Sequence, residues 1–382
     1  MMDRDEGPIL DGTYALERRV TWGGMGEIWR GTDLRSGQAV AIKRVPGHAD
    51  DGSGSLGERL VREARAVAAI AHPNVVRHIA AGFDQEGSPY LVLEWLEGES
   101  LEDARRKGTL TLSEKVKIVR QTLKGLEICH RHGIVHRDVK PGNIFLVREG
   151  DDLTVKLIDF GLALMADDAR RMTATGEIMG TLYYLSPEQA QGLDTGPATD
   201  LYSVGVVLYE LLAGRPPFVA EKALAVLLKI VTETPPRLRQ LDPDLPSWVE
   251  TVVLRAMARA PKDRYPSAAA MERAIVHGPL GSTLLGQPSA PPLPPRLSQS
   301  EPGPLPSQSS FSSSEYRLVS LLCVQPQPGA DKAFLQAEAR PAVEGDNGIL
   351  HRLLGGQLIG IYGLGGTAGD EALRAVRAGL KL

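Results

Sequence analysis

Strand-like patterns crowd the stretch up to Trp95 and helix-like patterns take over beyond it, and this switch constrains the fold more than any other feature. Residues 39–44 read as a strand around β-branched Val40 and Ile42, and residues 90–95 as a continuous apolar strand that ends near Glu94. Between them, residues 56–71 place Leu60, Val61, Ala64, Val67 and Ala68 at helical spacing. Residues 113–132, 203–213 and 246–260 then read as helices. This order predicts an α+β fold of two lobes, a β-rich N-lobe and an α-helical C-lobe, with a ligand site in the cleft between them.

Composition divides the rest. Residues 1–13 form an acidic, polar tail and residues 14–277 are mixed and periodic. Residues 278–314 are crowded with Pro, Ser, Gly and Gln, too little apolar surface to offset the entropy of ordering, so they are expected to be a disordered linker. Residues 315–382 regain apolar patterning as a small α/β unit, with strands at 317–324 and 358–363 and a helix at 370–382. A net charge of −4 excludes bulk nucleic-acid binding, and two cysteines exclude a disulfide framework. The apolar run 201–213 is too short to span a bilayer and reads as a core helix. The expectation is a soluble cytoplasmic protein without nucleic-acid or membrane partners.

The chemistry concentrates in His136-Arg137-Asp138-Val139-Lys140-Pro141-Gly142-Asn143, followed by Asp159-Phe160-Gly161. An acid, an amine, an amide and a second acid stand at spacings suited to moving the terminal phosphoryl group of a metal-bound nucleotide onto a hydroxyl. Gly23-Gly24-Met25-Gly26 is a candidate phosphate-covering loop, because glycine lets backbone amides approach phosphate oxygens unobstructed. Lys43, after Val40-Ala41-Ile42, would ordinarily be a solvated strand-end charge; Glu63 is a carboxylate able to hold its flexible stem, with Glu58 as a less apt alternative.

Taken together these motifs resemble the bacterial Ser/Thr protein kinases, whose signature they share. The resemblance implies a bilobal protein kinase fold over residues 14–277, with ATP and Mg2+, or Mn2+ in its place, as cofactors. It implies that Asp138 orients the acceptor hydroxyl, that Asn143 and Asp159 hold the metal ions, and that Lys140 stabilises the transferring group. Lys43, steadied by Glu63, would contact the nucleotide phosphates. The nucleotide pocket would comprise Val20, Gly23, Gly24, Met25, Gly26, Ile28, Ala41, Leu93, Glu94 and Leu96, with Val40 adding apolar packing. Thr21 stands where the family's first glycine falls, and is expected to stiffen the loop and weaken nucleotide binding.

Lys140-Pro141-Gly142 and Gly180-Thr181-Leu182-Tyr183-Tyr184 resemble the Ser/Thr branch, in which Thr181 contacts Asp138 and Lys140. The implied partners are protein substrates with Ser/Thr acceptors, further signalling domains, or a second copy for trans-autophosphorylation. Thr173 and Thr175 are the expected phosphosites, with Arg137 as their cation. Glu188 is expected to pair with Arg264, and Asp200 to brace the catalytic loop. Residues 315–382 resemble the start of a class III nucleotide cyclase-like domain, but Gln325 and Gly356 stand at the places of its metal aspartates, so a non-catalytic module is expected. The competing function is a catalytically inactive kinase-fold scaffold.

Overall fold

The computed structural model describes residues 8–23, 26–45, 55–150, 152–160, 179–284, 320–324, 332–346, 348–352, 357–362, 374–375 and 378. Gly24, Met25, Gly161, Thr173, Thr175, Gln325 and Gly356 lie outside them, as does the linker beyond Leu284. The chain divides into two compact units, Met1–Gly278 and Pro279–Leu382.

In the first unit, strands β1 (Ile9–Leu10), β2 (Tyr14–Gly23), β3 (Gly26–Asp33), β4 (Ala39–Arg44), β5 (His78–Phe83) and β6 (Pro89–Glu94) form one antiparallel sheet, ordered β1-β2-β3-β4-β6-β5. The pleat sorts its side chains. Val40, Ile42, Tyr90 and Val92 share one face and bury with Leu10, Tyr14 and Leu16 in a core cluster. Ile28, Lys43 and Leu91, opposite one another in register, share the other face. Helix α1 (Ser55–Ala68) packs on β5 and β6, burying Leu60, Val61, Ala64 and Val67. Each such buried Leu or Val side chain contributes about 1.5–3 kcal/mol.

The strands flanking the candidate phosphate loop, β2 and β3, run to 10 and 8 residues, and Gly23 pairs with Gly26 in register. Gly26 has a packing reason as well. Its φ is +110°, and a Cβ there would stand 2.2 Å from the Arg44 carbonyl oxygen, so only glycine lets β3 close on β4 at this end.

The helical lobe begins with β7 (Glu99–Ser100) and α2 (Leu101–Lys107), whose N-cap Ser100 accepts from the Asp103 amide. Helix α3 (Leu112–Arg131) starts with a capping box between Thr111 and Glu114. A hairpin of β8 (Ile144–Glu149) and β9 (Asp152–Leu157) joins β7 in a second sheet. The helix Pro197–Ala213 is buried along nearly its whole length, as its unbroken apolar run requires. No helix of the described residues is long and apolar enough to cross a membrane.

The Ala268–Leu284 helix runs past His277 into the stretch expected to be linker. Met271 and Ile275 are buried, Glu272 pairs with Arg120 at 3.0 Å, and Gly278, just past His277, lies against the Trp248 ring.

In the second unit, β10 (Ser320–Val324), β11 (Ile349–Arg352) and β12 (Leu358–Tyr362) form an antiparallel sheet ordered β10-β12-β11. The Lys332–Glu344 helix supplies Val343 to a core shared with Tyr362, Ala375 and Ala378. That helix and β11 had no sequence signal strong enough to be expected; Pro341 inside the helix argues against one.

Candidate active site

Between α3 and β8 the chain turns through residues 134–140 without regular structure, and Asp200 holds it in shape. Fully buried at the start of the Pro197–Ala213 helix, its carboxylate accepts from the His136 amide at 2.9 Å, the Arg137 amide at 2.8 Å, and lies 2.7 Å from His130 Nε2. These bonds hold Arg137 at φ +64°, a left-handed conformation costly for a β-carbon residue, and Gln189 Nε2 donates to its carbonyl at 2.8 Å. The strain aims the next side chain, Asp138, inward.

Asp138 is buried and doubly held. Lys140 Nζ is 2.8 Å from its Oδ2, and Asn143 Nδ2 donates to the same oxygen at 2.8 Å and to its backbone carbonyl at 2.8 Å. Lys140 also donates to Thr181 Oγ1 at 3.1 Å, which ties the acid to the 179–190 segment. A single Asp138 oxygen carries both side-chain contacts, and Oδ1 accepts from no described residue.

Asp159 follows β9 at φ +50° and meets Lys43 Nζ at 2.8 Å. Burial pushes its carboxyl upward, but the charge and hydrogen bond of Lys43, with Lys140 and His136 further off, hold it below the usual carboxylate range. Phe160 is buried beside it, its ring 4.6 Å from His136 and edge-on to His78 at 6.2 Å. Burial pushes the His78 imidazole down to about 4, against a weaker pull from Asp159, so it is neutral at pH 7.

The structure does not bring Glu63 to Lys43. Glu63 forms no ion pair among the described residues, while the lysine is taken by Asp159. The remaining pocket residues divide by exposure: Ala41 and Leu93 are paired in register and half-buried, Ile28 sits opposite Lys43, Leu96 is half-buried, and Val20 is exposed. The Glu94 side chain accepts from the Arg77 amide at 2.8 Å and Lys156 at 2.6 Å, which leaves it occupied beside the strand that ends at Leu157.

Glu188 and Arg264 form a buried two-pronged pair at 2.6 and 2.7 Å. Thr199 donates to Glu188 at 2.8 Å, Arg264 donates to three backbone carbonyls, and its guanidinium lies 4.9 Å from the Tyr202 ring centre. Burial opposes ionisation of Glu188, yet Arg264 holds its carboxyl below the usual range.

The donor set fits a hard divalent cation. With Nδ2 of Asn143 committed to Asp138, its Oδ1 accepts from no described residue, and neither does Asp159 Oδ2. No group of three or more His, Cys, Asp or Glu able to hold a metal occurs among the described residues. His130, Gln189, Thr199 and Tyr202 escaped sequence reasoning; each acts through a partner distant in the chain.

Lys43 paired with Asp159, and buried Asp138 braced by Lys140 and Asn143, are the residue types that phosphoryl transfer calls for. The chain belongs to the protein kinase family: the family model described as protein kinase domain matches residues 14–275. The serine/threonine-protein kinase PknA of Mycobacterium tuberculosis is 40% identical over 274 residues, covering 70% of this chain and 62% of that protein. The serine/threonine-protein kinase Pkn1 of Myxococcus xanthus is 39% identical over 269 residues, 69% of this chain and 38% of that protein. The chain thus spans less than two thirds of the length of these relatives. The crystal structure of the Mycobacterium tuberculosis PknI kinase domain matches 72% of this chain and 98% of its own with a TM-score of 0.57 at 25% identity.

Proposed function

We propose that this chain is a Ser/Thr protein kinase that moves the γ-phosphoryl group of ATP to protein serine and threonine hydroxyls. The observation that carries the reading is Asp138, buried, held on one oxygen by Lys140 and Asn143, with its other oxygen open. In this reading the acceptor hydroxyl donates to that open oxygen. Its oxygen attacks the γ-phosphorus, the bond to the β,γ-bridging oxygen breaks, ADP leaves, and the hydroxyl proton passes to Asp138. Lys140 stabilises the charge on the transferring group, and Thr181 fixes the lysine. Asn143 and Asp159 are the residues that would hold Mg2+, or Mn2+, which neutralises phosphate charge when bound. Lys43 would contact the nucleotide phosphates; transfer requires its ammonium to be shared between them and Asp159. Glu94 and Leu96 would meet the adenine through backbone groups.

Autophosphorylation of Thr173 and Thr175 belongs to the same proposal. Arg137 Nε is buried without a hydrogen-bond partner among the described residues, which supports a role in receiving the new phosphate. Substrates are cytoplasmic proteins in a signalling pathway, and the 315–382 unit serves as a non-catalytic module, since Gln325 and Gly356 supply no carboxylates. The test is incubation with ATP and Mg2+ beside a mixture of acceptor proteins, followed by mass spectrometry. Phosphoserine and phosphothreonine should form, including on residues 173–175; phosphate on neither chain nor acceptor would favour the inactive scaffold, for which the separation of Glu63 from Lys43 speaks.

A further inference from the structure

On the outer side of the junction between α3 and β9 lies a concavity of about 310 Å3 lined by Asn74, Lys117, Arg120, Gln121, Lys124 and Thr154, among others. None of these belongs to the phosphoryl-transfer site. Lys117, Arg120, Gln121 and Lys124 stand at i, i+3, i+4 and i+7 of α3, so one helix face delivers three cations to one hollow. Lys117 and Lys124 are exposed and form no ion pair with any described residue. Arg120 is paired with Glu272 at 3.0 Å, and no carboxylate lines the cavity itself. The positive field extends to His72, whose imidazole is pushed down first by burial and then by Lys124 and Lys156.

The floor is rigid. Asn74 Nδ2 donates to Gln121 Oε1 at 2.8 Å and to the Val155 carbonyl at 2.9 Å. Gln121 in turn accepts from the Val155 amide at 2.9 Å and donates to the Leu153 carbonyl at 2.8 Å. Gly125 secures the contact from behind, because a Cβ there would stand 2.6 Å from the Asn74 carbonyl oxygen. Thr154, which also lines the hollow, forms no side-chain hydrogen bond among the described residues.

We propose that this hollow binds the phosphate of a phosphoserine or phosphothreonine on a partner protein. Three cations against the one carboxylate of Glu272 leave a net charge that matches a phosphomonoester, which carries about −1.5 to −2 at pH 7, better than a single carboxylate. The volume is at the small end of the range for ligand sites, about 300–1,000 Å3, and accommodates one charged side chain rather than a helix laid in a groove. Preset walls reduce the ordering cost of binding. The floor is also the strand that leads to Asp159, since the Asn74 carbonyl accepts from the Leu157 amide at 3.0 Å. The pocket holds a phosphorylated partner against the enzyme, and it does so whether or not Asp138 transfers phosphate.

The test is fluorescence anisotropy with the full chain in the absence of ATP. The probe is a labelled peptide of Gly, Ser and Ala with one central phosphothreonine, beside twins carrying threonine or glutamate at that position. The phosphopeptide should bind at least about tenfold more tightly than either twin, and Lys117→Ala with Lys124→Ala should weaken it by about tenfold or more. The same pair changed to Gln should do likewise, and a thermal melt of each variant should match wild type, as these exposed lysines form no ion pair or hydrogen bond with any described residue. Equal binding of phosphopeptide and threonine twin, or equal affinity in the lysine variants, would overturn the site; equal binding of the glutamate twin would make it a site for acidic peptides and overturn the phosphate assignment.

Discussion

Arg264→Leu removes five hydrogen bonds at once, two to Glu188 and one each to the carbonyls of Ala198, Ala258 and Arg259. The arginine side chain is 0% exposed and that of Glu188 6%, so water cannot replace the lost donors. Removing one partner of a buried pair costs about 3–5 kcal/mol, chiefly because the remaining charge is stranded. In a domain of this size that lowers the melting temperature by about 10 °C. The pH dependence gives a sharper signature. In the wild type the Glu188 carboxyl lies below its ordinary value of 4.5, so its contribution is complete above that pH and is lost as pH falls through the depressed value. Without Arg264 the burial that opposes ionisation prevails and the carboxyl moves above its ordinary value. The stranded carboxylate then takes up a proton as pH falls, and the cost of the mutation shrinks between pH 7 and 5. Urea denaturation at pH 7, 6 and 5 measures this. A cost below about 1 kcal/mol, or one that grows on acidification, would refute the reasoning.

Other outcomes follow from single contacts. Thr181→Val removes the acceptor of the 3.1 Å bond from Lys140 and should lower kcat about tenfold or more with little change in KM for ATP, while Thr181→Ser should stay near wild type in a steady-state kinase assay. The neutral, buried His78 should make stability fall as pH drops from 6.5 toward 4, because the unfolded chain takes up a proton that the folded one refuses; the full effect is about 3 kcal/mol. His78→Leu should flatten that slope in acid-titrated calorimetry, and an unchanged slope would assign it to other groups. Gly26→Ala should destabilise the sheet by about 2 kcal/mol or more through the clash with the Arg44 carbonyl and the strained φ, read as a lower urea midpoint.

How much of this was legible in the sequence varies by contact range. Asp138, Lys140 and Asn143 lie within one turn of chain, so their spacing alone put an amine and an amide beside an acid. Residues 39–44 read as a strand because two β-branched residues alternate there, and β4 has those bounds. The β8–β9 hairpin was not expected although Ile144 and Leu146 face Val155 and Leu157 across it with the alternation a strand requires. The first turn of the Pro197–Ala213 helix was missed too, though Gly196-Pro197 is a start signal. Other features had no local sign. The need for glycine at 26 comes from the Arg44 carbonyl, and the strained Arg137 is held by Asp200 and Gln189. Lys43 has Glu63 and Glu58 as acidic candidates by sequence, and only the folded geometry puts Asp159 beside it at 2.8 Å.

In the proposed transfer the open oxygen of Asp138 receives the acceptor proton. Asp138→Asn keeps the shape and the contact to Asn143 but removes the base, so transfer of labelled phosphate from ATP to an acceptor protein should fall by about 10²–10⁴-fold at unchanged folding. Equal incorporation by the variant and the wild type would contradict it.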